Sequence, residues 1–251
     1  GYYVLGGYAS EVSSIHKEAD SLVRNSTEGT FRRYRTSVVY AADGSVISRL
    51  NDQGASYYLK RDEIPQSVID AVVCMEDQRF YQHRGVDFRA LVRAAKSLIE
   101  NRKITQGGST ITMQLARNVF LTQEKTWQRK VEEIFIAQNL EKKYTKDQIL
   151  EFYLNNIYYG NGYYGIGAAG RGYFDSGVDE LDLSQIAFLC AIPNNPTVYD
   201  PVTHMDHAIE RRDRILGKMR DDGKITQMAY AAAVAENISL KRPEAMEKNN
   251  Y

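Results

Sequence analysis

The chain reads as a mainly α-helical protein with a small β-hairpin element near its start, and three observations give that class. From Pro65 onward, apolar residues recur at helical spacing in one segment after another. Two of those segments open on capping boxes, Thr145 with Gln148 and Asp182 with Gln185. The strongest hairpin signal, Asp43-Gly44, falls between two strand-like runs well before the helical part begins.

In chain order, Glu11 to Arg24 carries a weak helical pattern. Thr36 to Ala42 and Ser45 to Leu50 make the hairpin, with Tyr57-Tyr58-Leu59 as a third strand. Pro65 fits the first helical position, where a missing N–H leaves nothing unpaired and φ is already helical. Val68, Ile69, Val72 and Val73 follow it, so Glu76 should emerge from a buried helix end. Further helices are expected over Val86 to Asn101, Thr110 to Leu121, Trp127 to Lys143, Lys146 to Asn155, Leu183 to Ala191, His204 to Asp221 and Ile225 to Glu236. Asn156 to Gly170 is rich in Gly and Tyr. Its composition leaves two readings open, a tight connection or a sugar-facing loop of stacked rings.

Length and charge bound the function. A chain of 251 residues, 43% hydrophobic and 25% charged, can bury one substantial core. Lys plus Arg and Asp plus Glu both count 32, so no global basic field argues for nucleic acid as a partner, and any anion site must be local. Cys74 and Cys190 sit in apolar runs and are too few for a disulfide framework or a zinc site; they read as buried free thiols. Tyr2 to Ala9 is far shorter than the ~20 apolar residues of a spanning helix and reads as the outer end of a membrane anchor. The expected layout is therefore a membrane-proximal helical segment over 1–30, the main domain with its hairpin over 31–240, and the start of a linker over 241–251.

Three constellations carry chemistry. The first is Met75 to Gly85, an acidic pair at the end of an apolar run with Phe80 and His83 shortly behind. A carboxylate held against apolar surroundings has its charged form disfavoured, which suits Glu76 to act as a general base. The second is Gln106 to Asn118, a Gly pair feeding a helix start. Free amides there would cradle an anion, and Gln114 and Arg117, three residues apart, can address one ligand. It is not a Walker loop, because the Gly spacing and the Lys-Ser/Thr ending are missing. The third is Lys125 to Glu141, where Glu133 shares a helix face with Arg129, Ile136, Ala137 and Leu140 while Glu132 turns about 100° away. Lys125, Arg129 and Lys130 suit a diphosphate leaving group, whose developing charge fixed cations stabilise.

In this order the three blocks resemble the peptidoglycan glycosyltransferase domain of class A penicillin-binding proteins and their monofunctional relatives, glycosyltransferase family 51. Glu76 to Gly85 is similar to the family's first motif, Gly107 to Asn118 to its second and Arg129 to Glu141 to its third. Lys146 to Asn155 is similar to the fourth, and Arg171 to Phe174 with Leu183 to Ala187 and Ala191 to Pro196 fills the fifth. Met113 stands where many members carry Gln, and Arg117 where Lys is common.

The resemblance implies a lysozyme-like helical glycosyltransferase fold at the outer face of the bacterial cytoplasmic membrane. It implies lipid II and the growing glycan strand as substrates, and it leaves open whether a transpeptidase domain follows Tyr251 in a full-length protein. By its residues, Glu76 removes the proton from the 4-hydroxyl of the acceptor N-acetylglucosamine, and Glu133 sits by the donor diphosphate, orienting it or holding a divalent cation, Mg or Mn. Lys125, Arg129, Lys130 and Arg117 compensate the leaving-group charge. Ser109, Thr110, Gln114 and Asn118 line the donor site, and Asp77, Phe80 and His83 shape the pocket around the base, His83 as an orienting partner.

Phe88, Leu91, Val92, Ala95, Leu98 and Ile99 alternate with Arg89, Arg93, Lys96, Arg102 and Lys103 in a pattern that suits a helix at a membrane surface and a core-facing helix equally. The closest rival function is a lysozyme-like muramidase or lytic transglycosylase. Hydrolysis there needs an acid for a sugar leaving group, whereas a diphosphate leaves with the help of cations, and the cluster around Glu133 favours the second. A catalytically silent scaffold fits poorly with both glutamates in place. Ser14-Ile-His-Lys17 satisfies Ser-x-x-Lys, but no Ser-x-Asn or Lys-Thr-Gly accompanies it, so a transpeptidase within this chain is not supported.

Overall fold

A long first helix, α1 (Tyr2–Asn25), lies along α6 (Trp127–Lys143), and side chains of both fix the contact. Tyr8 meets Trp127 edge-on, His16 meets Phe135 likewise, and Gln128 donates to Glu11. Lys143 then donates to the carbonyls of Val23, Arg24 and Ser26, supplying a cation where the end of α1 leaves carbonyls unpaired. The structure is a computed structural model that describes residues 2–32, 38–40, 46–49, 57–101, 108–122, 124 and 126–241.

The hairpin is present as β1 (Val38–Tyr40) and β2 (Val46–Arg49), antiparallel, with Val38 opposite Arg49 and Val39 opposite Ser48. Its Asp43-Gly44 turn lies outside the described residues. The third strand does not form. Tyr58 and Leu59 are instead tied to α7 (Lys146–Asn156): the Tyr58 hydroxyl donates to Glu151, and the Asn155 side chain bonds both the N–H and the carbonyl of Leu59.

The helical body follows the apolar periodicity closely. α3 (Gln66–Glu76) buries Val68, Ile69, Ala71, Val72, Val73 and Cys74 between α9 (Leu183–Ala191) and α10 (Met205–Asp221). Pro65 stands one place earlier than expected, at the cap of α3. The adjoining half of the core is α5 (Ile111–Phe120) packed on α6 and α7, with Phe31 of α2 (Glu28–Phe31) stacked on Phe152 at 4.0 Å. Thr145 and Asp182 cap α7 and α9 through both bonds of their boxes. Outside these layers are α4 (Phe88–Asn101) and α11 (Gln227–Ala235). Cys74 and Cys190 are buried and free.

The Gly- and Tyr-rich segment is a tight connection that runs into a helix the periodicity does not reveal, α8 (Ile166–Phe174). Gly165 holds φ at +86° beside the Asn155 carbonyl, and a Cβ on Gly172 would meet the Tyr163 ring at 2.1 Å. Close packing against rings and backbone thus overrides the poor helix propensity of glycine. No helix among the described residues is long and apolar enough to cross a membrane.

Candidate active site

Glu76 is the last residue of α3, its side chain only 12% exposed. Each of its oxygens has a polar partner, which the apolar run before it does not foretell. Oε1 accepts from Nη2 of Arg211 at 3.0 Å, and Oε2 from Nε2 of Gln114 at 3.1 Å. Gln114 is itself held from behind, its Oε1 accepting from the buried Tyr153 hydroxyl at 3.3 Å. Arg211, on α10, is a residue the sequence reading misses, as is the supporting Tyr153.

Asp77 builds the floor. Its carboxylate lies 2.9 Å from Nε2 of His83 and accepts the Ile111 N–H at 3.1 Å, while Thr110 accepts the Met113 N–H at the same helix start. The expected anion cradle at the start of α5 is therefore filled by the chain's own carboxylate, which satisfies the free amide and the helix dipole together. His83 orients Asp77 rather than touching Glu76. Phe80 is fully buried below the loop, with the Lys146 ammonium 4.2 Å above its ring, so it supports the site without facing it. The Thr110 hydroxyl donates to the carbonyl of Gly85, whose φ of +87° sets it against Ala137 of α6.

The second carboxylate, Glu133, is fully buried on α6, as its helix face predicts. Its closest cation is Lys130 at 2.6 Å; Arg129 stands farther off at 3.9 Å. Lys130 Nζ also donates to Ser109 Oγ at 3.0 Å, so one ammonium joins the second and third constellations. Burial pushes the Glu132 carboxyl upward, with Glu18 of α1 adding to the effect. Lys125 lies outside the described residues.

Two clefts meet at α5. One, of about 750 Å³, is lined by Glu76, Asp77, Ser109, Thr110, Gln114 and Arg117 and walled by Arg211 on the far side. The other, of about 440 Å³, is lined by Gln114, Arg117, Asn118 and Arg129, with Tyr158 and Tyr164 opposite. Gln114 and Arg117 belong to both, so they form the partition between a carboxylate-bearing cleft and a guanidinium-bearing one. Among the described residues, the lining of the second cleft contains no carboxyl group. As for a divalent cation, no group of three or more His, Cys, Asp or Glu able to hold a metal occurs among the described residues, and Lys130 already sits on one oxygen of Glu133. The chain itself would offer such a cation one carboxylate there, the second oxygen of Glu133.

A helical body that sets a nearly buried carboxylate in one cleft beside cations in the next fits an enzyme of glycosyl transfer. A family model described as Transglycosylase matches residues 43–220. Penicillin-binding protein 4 of Bacillus subtilis is 43% identical over 207 residues, which cover 82% of this chain and 33% of that one. A Cupriavidus necator protein described as a transglycosylase is 40% identical over 184 residues, 73% of this chain and 79% of that one. A crystal structure of penicillin-binding protein 1A from Haemophilus influenzae aligns with a TM-score of 0.46 at 23% identity, over 82% of this chain and 21% of that one. The chain belongs to the transglycosylase family, whose work is glycosyl transfer in peptidoglycan synthesis. It spans about a third of the length of the first penicillin-binding proteins it matches.

Proposed function

We propose that this domain polymerises lipid II into glycan strands at the outer face of the bacterial cytoplasmic membrane, with Glu76 as general base. Glu76 takes the proton from the 4-hydroxyl of the acceptor N-acetylglucosamine. That oxygen attacks the anomeric carbon of the donor N-acetylmuramic acid, and undecaprenyl diphosphate leaves from the opposite face with inversion. Arg117, Arg129, Lys130 and Lys125 offset the charge that develops on the leaving group. Glu133 holds Lys130 toward Ser109, and Asn118 completes the donor lining. A divalent cation, Mg or Mn, would draw most of its ligands from the diphosphate, since the chain offers one carboxylate.

The observation that carries this reading is the partition. Gln114 bonds the base and, with Arg117, lines both clefts, so an acceptor and an anionic donor can meet across one residue pair. A muramidase needs a carboxylic acid at the leaving oxygen, and the donor-side lining has guanidiniums instead. Membrane association is supported by α4, where Phe88 and Val92 are 64% and 68% exposed beside Arg89 and Arg93.

Incubation of the chain with labelled lipid II, followed by gel analysis of glycan length, tests the proposal. Polymer should form and should disappear in Glu76→Gln. Release of soluble muropeptides from finished sacculi, with no polymer from lipid II, would overturn it.

A further inference from the structure

α10 turns one stripe toward the larger cleft. Arg211, Arg214, Gly217, Lys218 and Asp221 all line it, at the three- and four-residue steps that place side chains on one helix face. Arg211 ends on Glu76, so the stripe begins at the base. From Arg211 to Lys218 the helix advances about 10 Å, which is the reach of a disaccharide.

Gly217 is the unusual member. Inside a helix, Gly costs about 1 kcal/mol relative to Ala, and a residue kept at that cost normally has a packing or backbone reason. Neither applies: Gly217 has no positive φ, and a Cβ built on it would meet nothing within 4 Å. What its missing side chain leaves is room in the cleft. The groups around that room are mostly cationic, and the one carboxylate of the stripe, Asp221, is paired with Arg220. Arg214 is 52% exposed and only 3.9 Å from Glu210 across a weak surface pair. Lys218 and Arg93 of α4, which also lines the cleft, have no ion-pair partner among the described residues. Arg93 follows the exposed Val92, so the cleft borders the helix that suits a lipid surface.

We infer that Gly217, Arg214 and Lys218 select the acceptor. Gly217 leaves space for the second sugar of a lipid-linked disaccharide whose first sugar presents its hydroxyl to Glu76, and Lys218, just past Gly217, meets the diphosphate at its far end with the long side chain of Arg214 reaching from one turn before it. The inference rests on the polymerase reading and adds that the acceptor is recognised by its own anionic linkage, on a helix separate from the donor cations.

Initial rates test it, with a preformed lipid-linked tetrasaccharide as donor and lipid II as acceptor, each varied in turn. Gly217→Ala and Gly217→Leu should melt no lower than the parent chain, because the added atoms enter open space and the helix gains propensity. The acceptor KM should rise about 10-fold in Gly217→Leu and by less in Gly217→Ala. The double variant Arg214→Gln, Lys218→Gln should raise the acceptor KM by about 10-fold or more while the donor KM stays within about twofold. An unchanged acceptor KM in Gly217→Leu, or equal rises in both constants for the charge variant, overturns the inference and leaves the polymerase reading standing. A parent chain that forms no polymer overturns the reading, and the inference with it.

Discussion

The Arg211 guanidinium stands 3.0 Å from the Glu76 carboxylate although 135 positions separate the two residues, and both side chains are almost buried, at 7% and 12% exposure. Arg211 is fixed from its other side by the Tyr199 ring, 5.0 Å away. Removing one partner of such a pair leaves the other charge stranded at a cost of about 3–5 kcal/mol. Arg211→Ala should therefore lower the melting temperature and slow polymerisation by at least about 10-fold, while Arg211→Lys restores part of both. A truncated variant that turns over at the parent rate would remove Arg211 from the positioning of the base.

In the proposed reaction Glu133 serves the leaving group through Lys130. With its charge removed in Glu133→Gln, Lys130 loses its 2.6 Å partner and no longer has a fixed direction toward Ser109. Turnover should fall by about 10²–10³, the scale seen when one preorganised charge-stabilising group is lost. Donor use should suffer more than acceptor binding. The check is a rate series across metal concentrations, and normal turnover throughout would rule the role out.

Gly85 joins the loop after Glu76 to α6. At φ +87° it adopts the left-handed region that L side chains disfavour, and a Cβ would lie 2.6 Å from the Ala137 carbonyl oxygen. Gly85→Ala meets both penalties at once, since backbone strain alone costs about 1–3 kcal/mol and the contact is with backbone. Thermal denaturation should show a clear loss of stability, larger than for Gly223→Ala, where φ is +70° but no atom lies within 4 Å.

How far the sequence reveals this arrangement depends on whether the signal is local. α6 and α9 follow the periodicity to the residue, and Glu133 is buried as its helix face requires, because burial of an amphipathic stripe is written in neighbouring positions. α8 escapes that logic. Its Gly167, Gly170 and Gly172 lower helix propensity, and the reason for them is close contact with the distant Tyr57 and with Ser176 and Tyr163 on the flanking turns, which helical periodicity does not register. The third strand fails in the same way, since Tyr58 and Leu59 find partners on α7. Asp77 in the α5 cradle and Arg211 on Glu76 are likewise pairings across the fold. Glu76 itself was legible as an acid at a buried helix end, but its neighbours were not.

The two thiols give a prediction that depends on the core alone. Burial pushes both Cys74 and Cys190 up from 9.0 to about 12, and Asp222 adds to the effect at Cys74. Burial also raises the Tyr153 and Tyr159 hydroxyls well above their ordinary value of 10.0. In each case the folded state keeps a proton that the unfolded chain gives up at lower pH. The stability they contribute is therefore complete below pH 9.0, declines once the unfolded thiols ionise, and is gone for the cysteines as pH passes about 12. Melting temperatures measured at rising alkalinity should be level up to that first threshold and fall beyond it. At neutral pH a thiolate-directed reagent should label neither cysteine in the folded chain and both after denaturation, since the reactive species is the thiolate. Rapid labelling of the folded protein would mean that α3 or α9 opens locally, which the packing of both helices in the core argues against.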